Sequence, residues 1–89
     1  MAKPKGSALT MQVKIWAPFK VYFDGVANSL TAANETGPFD ILPHHQNFIT
    51  LLQPGDLIVR RAGTKDYRLT ISRAVMHVKA DRVSVFLDV

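Results

Sequence analysis

Residues 37–55, GPFDILPHHQNFITLLQPG, constrain the fold more than any other stretch, because they confine two short apolar runs between Pro and Gly breaks. Residues 39–42 and 48–52 are each the length of an edge or corner strand. Pro43 lacks a backbone donor, and the polar residues after it do not continue a ladder. The chain must therefore turn there and bring His44, His45, Gln46 and Asn47 to one end of whatever it builds. The segment reads strand, polar tip, strand.

The same grammar runs along the rest of the chain. Over residues 11–16, Met11, Val13 and Ile15 alternate with Gln12, Lys14 and Trp16, the period of a half-buried strand. Trp16 falls on the nominally wet side, where an indole either covers the rim of the core or meets a partner, and the rim is the simpler reading. Ala17-Pro18 interrupts the ladder; Phe19, Val21 and Phe23 then resume alternation toward the core until Asp24-Gly25 offers a hairpin turn. Val26, Asn28, Leu30 and Ala32 make a third strand that ends in the loop Asn34-Glu35-Thr36-Gly37. Gln53-Pro54-Gly55 suits a type II turn, and Ala62-Gly63-Thr64 separates residues 56–61 from a return strand with Tyr67, Leu69 and Ile71 on one face. Residues 73–79, a tight connection at Ala80-Asp81-Arg82, and a run with Val83, Val85 and Leu87 close the chain. No window has a capped helical period. The expected fold is all-β, an antiparallel β-sandwich or flattened barrel of about eight to ten short strands, over residues 11–89, preceded by a flexible arm over residues 1–10.

A chain of 89 residues makes one domain with one core, burying roughly 65% of its unfolded surface. No apolar run approaches the ~20 residues of a spanning helix, and no secretory leader is recognisable, so a cytoplasmic address is expected. Cysteine is absent, which removes disulfides, thiolate ligands and thiol catalysis. The net charge of +4 includes Lys3 and Lys5 of the arm. Arg60, Arg61, Lys65 and Arg68, interspersed with Asp66, suit a solvated edge better than a phosphate site. His44, His45 and His77 lack the companion ligands and spacing of a metal centre, the serines lack a nucleophile elbow, and no glycine-rich phosphate loop is present. A non-catalytic domain without metal or cofactor, acting through its surface, is the expectation.

Three segments, APFKVYFDG, NETGPFDILPHHQNFITLLQPGDL and SRAVMHVKADRVSVFLD, together resemble the N-terminal β-sandwich of the epsilon subunit of F-type ATP synthases. There a Pro-x-x-x-x-Phe-x-Gly segment, an E-G-x-x-G-I-L-P-G-H-A-P-like loop, a Leu-Thr-x-Leu-x-Pro-Gly segment and a V-x-V-L-x-D end come in the same order and spacing. The likeness covers residues 12–88 without a gap. This chain departs at Phe19, where the family's usual residue after proline is Glu, and at Pro38 and Asp40 in the loop. It also departs at His44, in place of a glycine, and at Arg73-Ala74, in place of a glycine pair.

The resemblance implies a non-catalytic central-stalk subunit that links the gamma subunit to the membrane c-ring and turns with them, peripheral to the cytoplasmic face of the membrane. By motif position, Trp16, His45, Thr50 and Ser72 would lie toward gamma, and Glu35, Thr36, Gly37, Pro38 and Phe39 toward the ring. Family members usually continue into two C-terminal helices that hold the inhibitory brake; this chain, if complete, is expected to couple stalk to ring without braking hydrolysis, and either a naturally short epsilon or an excised domain fits. The competing class is a small OB-like barrel that binds nucleic acid, which needs aromatics interleaved with basic residues on one face. Phe19, Phe23, Phe39 and Phe48 occupy positions better suited to a core.

Overall fold

The structure, a computed structural model, describes residues 10–44 and 46–87, so His45 and all of the expected arm except Thr10 lie outside the described residues. Among the described residues nine strands form two sheets: β1 (Met11–Ala17), β2 (Lys20–Ala27), β3 (Ser29–Asn34), β4 (Gly37–Ile41), β5 (Phe48–Leu52), β6 (Gly55–Arg60), β7 (Tyr67–Ile71), β8 (Ala74–Lys79) and β9 (Arg82–Leu87). The first sheet has the order β2-β1-β9-β8-β5 and the second β4-β3-β6-β7. They pack face to face as a β-sandwich, as the turn spacing predicts. All pairings are antiparallel except β1 with β9, which run parallel because the chain visits the second sheet before returning beside its own first strand.

The alternation in β1 is realised as predicted: Met11, Val13 and Ile15 are buried while Gln12 and Lys14 are exposed. The two inner faces supply the core. Ile15, Met76, Val78, Val83, Val85 and Leu52 from the first sheet meet Leu30, Ile41, Leu57 and Val59 from the second, and all are essentially inaccessible to water. Phe23, Phe39 and Phe48 pack against this cluster at its margins, as expected. The sheets touch at one corner, where the Gln53 amide donates to the Ala33 carbonyl at 2.9 Å. That bond stands where β6 has already diverged from β3, whose mutual pairing ends at Thr31–Ile58.

Two expectations near the N-terminus are corrected. Asp24-Gly25 is not a turn: Asp24 pairs with Lys14 and Gly25 with Val13 in the middle of β2. The reversal comes earlier, in the two-residue loop Pro18-Phe19 closed by the pair Ala17–Lys20. Proline cannot donate to a ladder, so the chain turns where the donor is missing and the Asp-Gly signal is overridden by pairing along all of β1. The register then slips, Ile15 opposing Phe23 but Trp16 opposing Val21, so Tyr22 is the extra residue of a β-bulge. The bulge breaks the shared phase of Phe19, Val21 and Phe23. Phe23 stays against the core, whereas Val21 is 53% exposed and Phe19, at the loop tip, is fully exposed.

Loop chemistry fixes the remaining corners. Asn28 carries the chain from one sheet to the other, its amide donating to the Arg60 carbonyl at 2.8 Å while its Oδ1 accepts the Ala62 amide at 2.6 Å. Ala80 and Asp81 form the β8–β9 loop with φ of 49° and 61°, the positive pair that a right-twisted two-residue hairpin demands. His44 also has positive φ, 67°. Its amide donates to Asp81 Oδ1 at 2.5 Å and its Nδ1 lies 3.5 Å from Asp81 Oδ2, so the carboxylate holds the unusual backbone from across the loop.

Candidate docking face

The two outer faces differ in kind. On the second sheet the outward residues are mostly polar, Ile58 and Pro38 excepted, and the polar ones answer one another. Arg60 donates to the Thr31 hydroxyl, which donates to Asp40 at 2.6 Å; Arg60 also reaches Asp66 at 3.8 Å. Asp56 accepts from Thr70 at 2.8 Å and pairs with Arg68 at 3.4 Å. The expected solvated edge around Arg60 and Arg68 is therefore what the fold builds. Arg61 turns elsewhere, over the Phe23 ring at 5.3 Å and onto the Lys65 carbonyl at 2.9 Å.

The outer face of the first sheet is largely apolar at one end. Register pairs Val21 with Trp16, Trp16 with Phe86, Phe86 with Val75 and Val75 with Leu51, so one row of apolar side chains crosses all five strands. Leu51 is 65% exposed and its neighbour Ile49, one step along β5, is 66% exposed. Scattered exposed aliphatics are ordinary, whereas here the exposed Val21 and Leu51 are joined across the sheet by the half-buried Trp16, Phe86 and Val75 into one outward row. Trp16 is fixed within it. Its indole N–H donates to Ser84 Oγ at 3.2 Å, its ring lies 4.6 Å from that of Phe86, and Lys14 Nζ stands 5.1 Å from its face.

Such a row follows from local sequence. A strand shows its two faces alternately, so consecutive apolar residues such as Leu51-Leu52 or Val85-Phe86-Leu87 cannot all enter one core. Leu52, Val85 and Leu87 are buried, and Leu51 and Phe86 face out. That doubling was the available signal for Leu51, Phe86 and Val75, which period-2 counting of the core face passes over.

The residues singled out from sequence fall in three places. Trp16 lies in the apolar row. Thr50 points the other way, between the sheets, where its Oγ1 accepts from Asn34 Nδ2 at 3.2 Å. Ser72 is exposed in the short β7–β8 connection, where it shares a shallow cleft with Tyr22, Arg73 and Leu87. Glu35 and Thr36 form the exposed tip of the β3–β4 hairpin, with Thr36 bonded through its amide at 3.0 Å and its hydroxyl at 2.6 Å to Asn34 Oδ1. Gly37 follows with φ of 122°, a conformation side chains resist, and opens β4. Pro38 faces solvent, while Phe39 turns inward to meet Phe48 with ring centres 6.3 Å apart. The Asn34–Thr50 bond thus brings the hairpin tip against β5, beside Ile49 and Leu51, so tip and apolar row are neighbours. His45 lies outside the described residues.

Residues 10–89 match the family described as the β-sandwich domain of the ATP synthase Delta/Epsilon chain. Curated relatives bearing the name ATP synthase epsilon chain include those of Nitrosococcus oceani, 32% identical over 91% of this chain, and Acidithiobacillus ferridurans, 30% identical over 91%. This chain spans 58% and 57% of their respective lengths. Among solved structures, a chain of the Euglena gracilis mitochondrial ATP synthase superposes with a TM-score of 0.82 over 89% of this chain and 51% of its own, at 20% identity. A chain of the Tetrahymena thermophila mitochondrial ATP synthase central stalk and c-ring gives 0.71 over 86% and 62%, at 21% identity. These two likenesses are of fold.

Proposed function

Because the chain belongs to the family of the ATP synthase Delta/Epsilon chain β-sandwich domain, we propose that it is a non-catalytic central-stalk subunit of a rotary F-type ATP synthase. In this reading it links the gamma subunit to the membrane c-ring and turns with both, supporting ATP synthesis coupled to ion transport. It sits peripherally at the cytoplasmic face of the membrane, without a span of its own and without a cofactor. The apolar row Val21–Trp16–Phe86–Val75–Leu51 is the observation that carries the proposal, since it gives a rigid sandwich one side to bury and leaves the other self-satisfied in water. Gamma covers that row. The β3–β4 tip, Glu35 to Phe39, meets the ring through Glu35, Thr36 and Pro38, while Phe39 anchors the hairpin from inside.

The role asks for stiffness rather than chemistry. Torque passes between packed surfaces, and a close-packed two-sheet core deforms little under load. The Asn34–Thr50 and Gln53–Ala33 bonds tie the ring-facing hairpin to the gamma-facing sheet, so the two contacts move as one body. The test is binding of the full chain to the gamma subunit of the same source, by biolayer interferometry with the chain immobilised. Saturable binding that Trp16→Ala weakens is expected; a folded chain that leaves gamma unbound would overturn the reading.

A further inference from the structure

Charges on the first sheet are arranged unlike those on the second. Lys79 and Arg82 stand directly opposite each other on β8 and β9, both exposed; Gln12 of β1 lies beside Arg82, and Lys14 lies one step inward, beside Ser84. Like charges in a cross-strand pair repel and weaken a sheet. Among the described residues neither Lys79 nor Arg82 has an ion-pair partner, whereas Arg60 and Arg68 of the second sheet each have an aspartate. His77 sits one step inward from Lys79, beside Ser84; Asp24 on β2 pairs with Lys14, and Asp81, in the loop between Lys79 and Arg82, has its carboxylate turned to His44. The face is thus divided along the central strands β9 and β8, while at the edge Val26 of β2, paired with Gln12, stays apolar and exposed. Phe86 and Val75 mark the apolar end; four residues on, Arg82 and Lys79 mark a basic end about 13 Å away.

Resting on the reading of this sheet as the side covered by gamma, we propose that the covering surface is itself two-ended. It presents an apolar ridge to the Trp16–Phe86–Val75 row and, about 13 Å along the strand direction, carboxylates that meet Lys79 and Arg82. The apolar end supplies duration of contact. The basic end steers approach and fixes which way round the sandwich docks, since reversal would set carboxylates on Leu51 and leave two cations against apolar side chains. An unpaired like-charge pair is then intelligible: its repulsion in the free chain is relieved when the partner's acids arrive.

Association and dissociation rates of the full chain with gamma, measured from low salt to about 0.5 M, test this directly. Lys79→Glu combined with Arg82→Glu should slow association about tenfold at low salt and flatten its salt dependence, with dissociation little changed. Lys65→Glu combined with Arg68→Glu makes the same change in net charge on β7 of the other sheet and the loop before it, and should leave association within about twofold. Circular dichroism and melting of each variant establish that it is folded. Equal slowing by both double variants, or no slowing by the first, would overturn the two-ended partner while leaving the docking reading intact. Failure of the unaltered chain to bind gamma would remove both. Should the unaltered chain bind anionic vesicles or single-stranded oligonucleotides as tightly as gamma, and lose this with Lys79→Glu/Arg82→Glu, the basic end serves a different occupant and the inference falls.

Discussion

Leu51 and Leu52 are adjacent in β5 yet face opposite sides of the first sheet, which makes them a matched pair for separating folding from docking. Leu52 is 1% exposed and Leu51 65% exposed. Full burial of a leucine side chain contributes about 1.5–3 kcal/mol, so Leu51 has realised only about a third of that within the folded chain. Truncation Leu51→Ala should then lower stability by at most about 1 kcal/mol, and the remaining two thirds, about 1–2 kcal/mol, is available to a partner that covers the row. In affinity this corresponds to a loss of about fivefold to thirtyfold. Leu52→Ala opens a cavity in the core and should cost about 2–5 kcal/mol of stability. Urea unfolding followed through the fluorescence of Trp16, the single tryptophan, gives the first quantity, and binding to gamma gives the second. Equal destabilisation by the two variants would refute the assignment of Leu51 to a free face; a stable Leu51→Ala chain with unchanged gamma affinity would refute the role given to that face.

Ala80 occupies a left-handed position at φ 49°, where an alanine is strained and asparagine is tolerated, so Ala80→Asn should raise stability by about 0.5–1 kcal/mol, seen as a higher urea midpoint at unchanged slope. Phe19 has no packing to lose in the free chain; Phe19→Ser should leave stability within about 0.5 kcal/mol, and because its loop lies just beyond the Trp16–Val21 pair at the apolar end of the sheet, it should weaken gamma binding measurably in the same interferometry assay. Asp56→Asn breaks the exposed pair with Arg68 and should cost less than about 1 kcal/mol while leaving gamma affinity unchanged, as calorimetry and binding together would register.

Much of this architecture is legible in the residues because a half-buried strand writes its burial in alternate positions. β1, β7 and β9 follow that rule, and their inward residues are those expected. β2 does not, because a bulge is a register event between two strands and leaves no mark within either one. Pro18 and Asp24-Gly25 are both turn signals, and only the pairing of β2 with the whole of β1 decides between them. The docking row was less legible for a related reason. Trp16 stands out as an indole on a wet face, but Phe86, Val75 and Leu51 become one surface only when β1, β9, β8 and β5 are placed side by side. Thr50, chosen by motif position, shares a strand with that row and points to the other side of it, a difference of one residue that alternation alone resolves. The holding of His44 by Asp81 joins residues far apart in the chain, and nothing local foretells it.

The central claim is that one side of this sandwich is covered in the assembly and the other is not, and methyl nuclear magnetic resonance of the full chain with and without gamma addresses it most directly. Methyl signals of Val21, Ile49, Leu51 and Val75 on the first sheet should shift or broaden on addition of gamma, while that of Ile58, on the outer face of the second sheet, stays where it was. Perturbation centred on Ile58 with Leu51 and Val75 unmoved would contradict the account.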